Sequence, residues 1–172
     1  MYRILSLALV LILIPLWSLA QPAQSERYVA GQHYALIDIP VRTRDANKVE
    51  VVEVFWYGCS HCYHFEPLVT QWKKSLPDDV DFWQSPAIWN ANMRTHAQAF
   101  YTAQALGVAD KVHEPLFVSL VVERKRLNSQ AQLEDYFADF GVDRAKFNKV
   151  FSSFGINSQV GQADARARSY KV

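Results

Sequence analysis

Residues 48–62 read Lys-Val-Glu-Val-Val-Glu-Val-Phe-Trp-Tyr-Gly-Cys-Ser-His-Cys, and the fold class follows from this segment. Its first ten residues, 48–57, are rich in β-branched and aromatic side chains and almost continuously apolar after Glu50. Such a run is typical of a strand that is buried on both faces of a sheet. Gly58 breaks the strand, and a Cys-x-x-Cys pair follows at once.

A helix is predicted to begin at the cysteine pair. Over residues 59–76 apolar side chains recur at the three-and-four spacing of one helical face; they are Cys62, Phe65, Leu68, Val69, Trp72 and Leu76. Pro67 is expected to kink this helix rather than end it. Two further strands are predicted at residues 34–39 and 80–88, so the chain begins with the order strand, strand, helix, strand.

From residue 91 onward the pattern is helical. Short breaks separate predicted helices at residues 91–106, 111–123, 129–140, 143–154 and 157–170. Ser129 and Asp143 are good N-cap residues for the third and fourth of these helices. The sequence therefore predicts an α/β protein in which an all-helical block follows the first strands.

The two cysteines, Cys59 and Cys62, are the only ones in the chain. They are better explained by chemistry than by cross-linking, because two cysteines separated by only two residues cannot join distant segments. At the first turn of a helix the backbone N–H groups lack an intrahelical partner and the helix dipole adds partial positive charge, so a thiolate at Cys59 would be stabilised there. Cys59 is predicted to be the nucleophile and leaving group, and Cys62 the more buried resolving thiol.

His61 lies between the two cysteines. As a cation it would stabilise a Cys59 thiolate but not a disulfide, which would make the oxidised form a stronger oxidant. The alternative interpretation is a surface histidine without an electrostatic role.

Glu53 is the other unusual residue, because a lone carboxylate inside an apolar strand is costly unless it is neutral or paired. It lies six residues before Cys59, near the cysteine end of the strand. We predict that Glu53 accepts or donates a proton for Cys62 through water; the alternative is an outward-facing glutamate on an incompletely covered strand. His64 and Glu66 are interpreted as solvated residues of the polar helix face. The aromatic residues around the motif are interpreted as core: Phe55, Trp56, Tyr57, Phe65 and Trp72.

The N-terminal segment, residues 1–20, has one cation at Arg3, an apolar run over residues 4–14, and then a proline and a small-residue exit that ends at Ala20. These features are typical of a secretory signal peptide cleaved after Ala20, and an uncleaved membrane anchor is the alternative. Without this segment 17 basic residues face 17 acidic ones. That balance gives no support for nucleic-acid binding. Export would place the cysteine pair where disulfides can form.

The segment 51–67, Val-Val-Glu-Val-Phe-Trp-Tyr-Gly-Cys-Ser-His-Cys-Tyr-His-Phe-Glu-Pro, closely resembles the periplasmic disulfide-forming family called DsbA. The family's Cys-Pro-His-Cys motif matches with Ser60 in place of proline, and its buried glutamate falls on Glu53. Residues 28–38 resemble the family's first strand. The resemblance implies a thioredoxin-like fold with an inserted helical domain.

The resemblance also implies how the chain is divided. After the signal peptide, residues 21–90 would form the N-terminal part of the thioredoxin-like domain, residues 91–156 the helical insertion, and residues 157–172 the start of the return helix. The family pattern continues past the position of Val172 with a proline loop, two strands and a final helix. We therefore expect the chain to lack the C-terminal part of the fold, the strand at 49–57 to become a sheet edge, and oxidase activity to be weak.

In function, the resemblance implies a periplasmic thiol-disulfide oxidoreductase. It would use Cys59 and Cys62 to introduce disulfides into newly exported proteins, be reoxidised by a membrane partner of DsbB type, and need no cofactor or metal. The Ser60 position helps to set the redox potential in the family. The alternatives are the reverse chemistry of a reductase or isomerase, a metal-binding module that uses the cysteine pair and a histidine, and an inactive fragment.

Overall fold

The computed structural model describes residues 27–172, and the predicted signal peptide, residues 1–20, lies outside them. The described residues fall into two units, one ending at Leu36 and the other spanning Ile37–Val172. In the first unit the backbone forms an isolated bridge between Ala30 and Tyr34.

The strand predicted at residues 34–39 is not formed in the described part of the chain. Its apolar side chains are open to solvent, with Leu36 72% and Ile39 79% exposed. A strand is stable only when a neighbouring strand satisfies its backbone N–H and C=O groups. The prediction is wrong because an apolar pattern in the sequence does not supply that neighbour. The likeness of residues 28–38 to a first family strand does not hold either.

Two strands form a parallel sheet: β1 spans Val49–Phe55 and β2 spans Val80–Pro86. Their register places Glu53 of β1 beside Gln84 of β2. Parallel neighbours need a crossover connection, and the helix that starts at the cysteine pair supplies it. Two of the three predicted strands are thereby confirmed.

β1 is less enclosed than its apolar sequence predicts. Its last residue, Phe55, is fully buried, whereas residues 50–54 are half-buried and Val49 is 59% exposed. Among residues 27–172, β1 pairs with β2 alone, which leaves its other edge without a strand neighbour. This agrees with the expectation that the strand forms an edge, and the expectation of burial on both faces is wrong.

The crossover helix α1 spans Ser60–Lys73 and contains Pro67. Phe65 and Trp72 are predicted to lie in the core, but they are 52% and 42% exposed. With side chains of both strands they line an open apolar groove of about 440 Å³. The prediction fails because helical periodicity identifies the apolar face of a helix but not what covers that face.

Five further α-helices follow β2 in the described chain at the predicted places: α2 (Ala91–Ala105), α3 (Ala109–Phe117), α4 (Gln130–Ala138), α5 (Arg144–Phe151) and α6 (Phe154–Ser169). A π-helical turn, Val118–Val122, continues α3. The side chains of Ser129 and Asp143 accept backbone N–H hydrogen bonds at the starts of α4 and α5. Both predicted N-caps are therefore confirmed.

The main core lies where the helical block meets the end of β1. Phe55 packs edge-to-face on Phe100 of α2 at 5.3 Å between ring centroids, and its ring is tilted against that of Phe117 of α3 at 5.7 Å. The helix α6 packs on α2 and β2, where Arg166 donates to Ser85 Oγ at 2.9 Å. Within residues 27–172, none of the helices has the length and apolar character that crossing a bilayer requires.

Candidate active site

Cys59 is the N-cap residue of α1, with an extended backbone. Its Sγ accepts a hydrogen bond from the backbone N–H of Cys62 at 3.4 Å, and its carbonyl oxygen accepts one from the N–H of Tyr63 at 3.0 Å. Both cysteines are free thiols of intermediate exposure. The sulfur of Cys59 thus points at the N–H groups of the first helical turn, where negative charge is most favourable.

Cys62 lies one turn further along α1 and packs against the hydrophobic core. Burial, with its hydrogen bond to Cys59 and the nearby charge of Glu53, raises the pKa of the Cys62 thiol to about 11. A thiol in this environment stays protonated at neutral pH. Cys62 therefore needs a group that removes its proton before it can act as a nucleophile.

His61 is exposed on the first turn of α1. In the described part of the molecule its side chain makes no hydrogen bond. Its predicted effect on Cys59 would thus be exerted through charge alone.

Glu53 is half-buried in β1 and accepts a hydrogen bond from Gln84 Nε2 at 2.9 Å. Burial raises the pKa of the Glu53 carboxyl; the hydrogen bond from Gln84 opposes this rise, and the negative charge of Glu66 adds to it. The charge of Glu53 in turn raises the pKa of Cys62. The structure therefore brings Glu53 within electrostatic reach of the cysteine pair, with its side chain turned toward β2 and not outward to solvent.

Glu66 is not the solvated residue that the sequence predicts, because only 8% of it is exposed. It lies two turns into α1 and faces β2 and α3. Gln84 Nε2 donates to its Oε2 at 3.1 Å, and His113 Nε2 is 3.3 Å from its Oε1. Burial alone would raise the pKa of Glu66, but the hydrogen bond and charge of His113, followed by Gln84, hold it below its usual value. His64, by contrast, is exposed as predicted.

Sequence reasoning missed two members of this region, Gln84 and His113. Gln84 is a polar residue that directly follows two aromatic residues in β2, and the parallel register sets it beside Glu53. His113 follows the buried Val112 and precedes the buried Leu116 and Phe117 on α3. In each case the available signal was a polar residue among apolar neighbours. Its meaning becomes clear only when the strand register and the helix packing are known.

The turn before Cys59 is held by the helical block. Trp56 Nε1 donates to His96 Nδ1 of α2 at 2.9 Å, and the two rings are stacked. Tyr57 is fully buried, and its hydroxyl lies 2.8 Å from His113 Nδ1 of α3. The prediction that Phe55 and Tyr57 belong to the core is therefore confirmed, and Trp56 is half-buried.

Within residues 27–172, no group of three or more His, Cys, Asp or Glu side chains is arranged to hold a metal ion.

Comparison with known families gives a match over residues 78–172 to the DSBA-like thioredoxin domain. The chain is 39% identical over 150 residues to the thiol:disulfide interchange protein DsbA of Pseudomonas aeruginosa, covering 87% of this chain and 71% of that protein. It is 41% identical over 142 residues to the protein of the same name from Bordetella pertussis, covering 83% and 68%.

Solved structures give the same result for the fold. The crystal structure of Pseudomonas aeruginosa DsbA superposes with a TM-score of 0.80 at 39% identity, over 84% of this chain and 76% of that one. The oxidoreductase DsbA from Xylella fastidiosa superposes with a TM-score of 0.69 at 28% identity, over 74% and 70%. Both likenesses include the helical block, so the fold is thioredoxin-like with a helical insertion. With this sequence identity, this fold and a Cys-x-x-Cys pair at Cys59 and Cys62, the chain belongs to the DsbA family of thiol:disulfide oxidoreductases.

Proposed function

We propose that this chain introduces disulfide bonds into exported proteins by dithiol-disulfide exchange at Cys59 and Cys62. The observation that carries the proposal is the position of Cys59 as the N-cap of α1, where its sulfur already accepts a backbone N–H hydrogen bond. A leaving thiolate is stabilised at such a position, and a disulfide is not.

The reaction begins with the oxidised pair. A substrate thiolate attacks Cys59 Sγ, the bond between the two protein sulfurs breaks, and Cys62 leaves with the electron pair and takes up a proton. A second substrate thiolate then attacks the substrate sulfur of the mixed disulfide, and Cys59 leaves as a thiolate. The substrate loses two electrons and gains a disulfide, while the cysteine pair becomes a dithiol.

Reoxidation runs these bond changes in the other direction against the disulfide of an oxidising partner. The Cys59 thiolate forms a mixed disulfide with the partner, and Cys62 then attacks Cys59 and releases the partner thiolate. Cys62 must lose a proton in this step, and its pKa of about 11 makes that loss difficult without a base. Glu53 is proposed as the proton acceptor, directly or through water, because its buried carboxyl has a raised pKa and acts on Cys62 electrostatically.

The setting of this reaction is part of the proposal. The N-terminal segment has the features of a signal peptide, which supports a periplasmic location, newly exported proteins as substrates and a membrane partner of DsbB type as the oxidant. His61 is proposed to favour the reduced form by its charge.

The test is oxidation of a reduced peptide that contains two cysteines, followed by mass spectrometry, with the preoxidised chain as the sole oxidant. We expect one disulfide in the peptide for each dithiol formed in the protein. Cys59→Ser should abolish the reaction, and Cys62→Ser should abolish turnover while still allowing a mixed disulfide at Cys59. Equilibration with glutathione distinguishes an oxidase from a reductase. A Cys59–Cys62 pair more reducing than glutathione would indicate a reductase and contradict the proposal.

A further inference from the structure

A network of polar side chains lies beneath the cysteine pair, and we call it the acid-amide network. It contains one residue from each of five parts of the fold, β1, the turn before Cys59, α1, β2 and α3: Glu53, Tyr57, Glu66, Gln84 and His113. The side chains of Glu66 and His113 are 11% and 17% exposed. Two carboxyl groups thus share one largely buried site, and ionising both is unfavourable.

Gln84 joins the two carboxyl groups. Its Nε2 is 2.9 Å from Glu53 Oε2 and 3.1 Å from Glu66 Oε2. A primary amide has two N–H protons, and both are used by these two acceptors. The contact of 3.5 Å between Gln84 Nε2 and His113 Nε2 therefore has no proton from the amide. When the Glu66 carboxyl group is ionised it can only accept, so in the 3.3 Å contact His113 Nε2 carries the proton and donates it to Glu66 Oε1.

His113 stands beside only one of the two carboxyl groups. It is 3.3 Å from Glu66, whereas in the described chain it makes no hydrogen bond to Glu53 and acts on that carboxyl group only through its charge. Its ring is enclosed by the aromatic rings of Phe55, Tyr57 and Phe117 at 5.2–5.5 Å, which limits the solvent that could weaken this interaction. The hydrogen bond and charge of His113 therefore favour ionised Glu66 much more than ionised Glu53.

The other groups that face this site come from α1, from the turn before Cys59 and from α2. Lys73 of α1 favours ionisation of both carboxyl groups. The buried Tyr57 hydroxyl lies 2.8 Å from His113 Nδ1 and can donate to that nitrogen or accept from it, so it holds the ring in place in either case. Phe100 of α2 contributes an apolar ring edge. The His113 ring is thus held between the Tyr57 hydroxyl on one side and the Glu66 carboxyl group on the other.

We propose that His113 is a positioning residue for disulfide exchange: it keeps Glu66 ionised, and thereby leaves Glu53 as the carboxyl group that takes and returns the proton of Cys62. When the environments of two neighbouring carboxyl groups separate their pKa values, one group stays ionised and the other is free to take and return a proton. This assignment agrees with the raised pKa of Glu53 and the lowered pKa of Glu66. It rests on the proposed function in one respect, the proton exchange between Glu53 and Cys62.

The first experiment measures the order in which the carboxyl groups titrate, using the ¹³C shifts of the Glu53 and Glu66 carboxyl carbons in the full chain. In the wild type Glu66 should titrate at lower pH than Glu53. His113→Gln keeps an N–H donor but cannot become positive, and it should narrow the gap between the two midpoints or reverse their order. His64→Gln is the matched control on α1, because it removes an exposed imidazole, and it should change neither midpoint.

A second variant keeps the test decisive if His113→Gln does not fold. Tyr57→Phe removes the hydroxyl that holds His113 Nδ1, so the ring should be less firmly placed beside Glu66 and the gap between the midpoints should narrow, as in His113→Gln. Unchanged midpoints in both variants, or Glu53 titrating below Glu66 in the wild type, would overturn the proposal.

The second experiment follows the closing step, in which Cys62 attacks a mixed disulfide between Cys59 and glutathione and glutathione leaves as a thiolate. We expect the pH profile of its rate to shift in His113→Gln and not in His64→Gln. If His113→Gln alters the titration of the two carboxyl groups but leaves the pH profile of the closing rate unchanged, the proposed role of His113 in exchange is wrong. If the proposed function itself is wrong, the peptide assay would show no disulfide formation, while Glu66 would still titrate at lower pH than Glu53.

Discussion

At the scale of single residues, the two cysteines differ in environment although they are only three positions apart. Cys59 caps α1 and takes an N–H hydrogen bond, while Cys62 packs against the core. The helix terminus favours charge on the first sulfur, and burial opposes charge on the second. This difference is why a substrate thiolate is expected to attack Cys59 and not Cys62.

The reactivity of the reduced chain should follow from that difference. At mildly acidic pH we expect iodoacetamide to modify Cys59 well before Cys62, because a thiol with a pKa of about 11 holds only a trace of thiolate there. Peptide mapping by mass spectrometry after timed quenching gives both rates. Equal rates, or faster modification of Cys62, would contradict the assignment of Cys59 as the nucleophile.

Sequence reasoning reached the residues of the motif but not those that lie around it in space. Glu53 stood out because an acid inside an apolar strand needs an explanation. Glu66 did not, because an acid on a helix is usually solvated, and only the packing of α1 against β2 and α3 shows that it is buried. His113 lies 51 positions after Cys62 in the sequence, so no local pattern could connect them.

At the scale of elements, the sequence predicts best where the signal is local. The starts of α4 and α5 follow from Ser129 and Asp143, whose side chains each satisfy an N–H group three residues away. A strand at residues 34–39 could not be predicted reliably, since it depends on a partner strand elsewhere in the chain. The burial of β1 depends on neighbours in the same way.

The turn between β1 and α1 leaves no room for a side chain at Gly58. A Cβ built there would lie 2.3 Å from the Trp56 ring. Gly58→Ala should therefore displace the indole and break its hydrogen bond to His96, with a loss of about 1–3 kcal/mol in the free energy of unfolding. Slower disulfide exchange is expected as well, because this turn positions Cys59.

Urea denaturation measures that loss, and α6 provides the matched control. A Cβ at Gly161 would meet no atom within 4 Å, so Gly161→Ala should leave stability unchanged or raise it by about 0.5–1 kcal/mol. If the two substitutions have the same effect, the crowding at Trp56 is not important for stability.

At the scale of the whole molecule, the redox state and stability are linked through Cys59. A thiolate at the start of α1 stabilises the folded chain only when the disulfide is open, so the reduced form should be the more stable one, by about 1 kcal/mol. His61→Ala should reduce the difference, since it removes the side chain that we propose acts on the Cys59 thiolate.

Parallel urea titrations of the reduced and oxidised chain, at neutral pH, give this difference directly. His64→Ala serves as the control for the loss of an exposed imidazole. A more stable oxidised form would contradict the proposed oxidase and favour a reductase.

Stability should also depend on pH through His96. Its Nδ1 accepts the Trp56 N–H and its Nε2 faces the carbonyl oxygen of Leu127 at 3.1 Å, so the folded chain holds it neutral. Burial lowers the pKa of His96 in the folded state. The unfolded chain then binds the proton more readily, so the contribution of His96 is fully present above about pH 6.5 and is lost as the pH falls through its folded-state pKa.

The measurement is the free energy of unfolding between pH 7.5 and pH 5 for the wild type and for His96→Gln, which cannot take up a proton. We expect the wild type to lose more stability than the variant over this range. Because Glu53 and other groups titrate equally in both proteins, the difference between the two curves isolates His96. Parallel curves would show that His96 has no part in the pH dependence.

The helical block supplies a histidine to each of two adjacent aromatic residues before the cysteine pair: His96 of α2 binds Trp56, and His113 of α3 lies against Tyr57. The block is therefore not an interchangeable module. A chimera that received this segment from a relative with other residues at the two positions would leave an indole N–H and a buried phenol without their partners, even if every helix had the right length. Grafts between family members would have to carry Trp56, Tyr57 and the two histidines together as one unit.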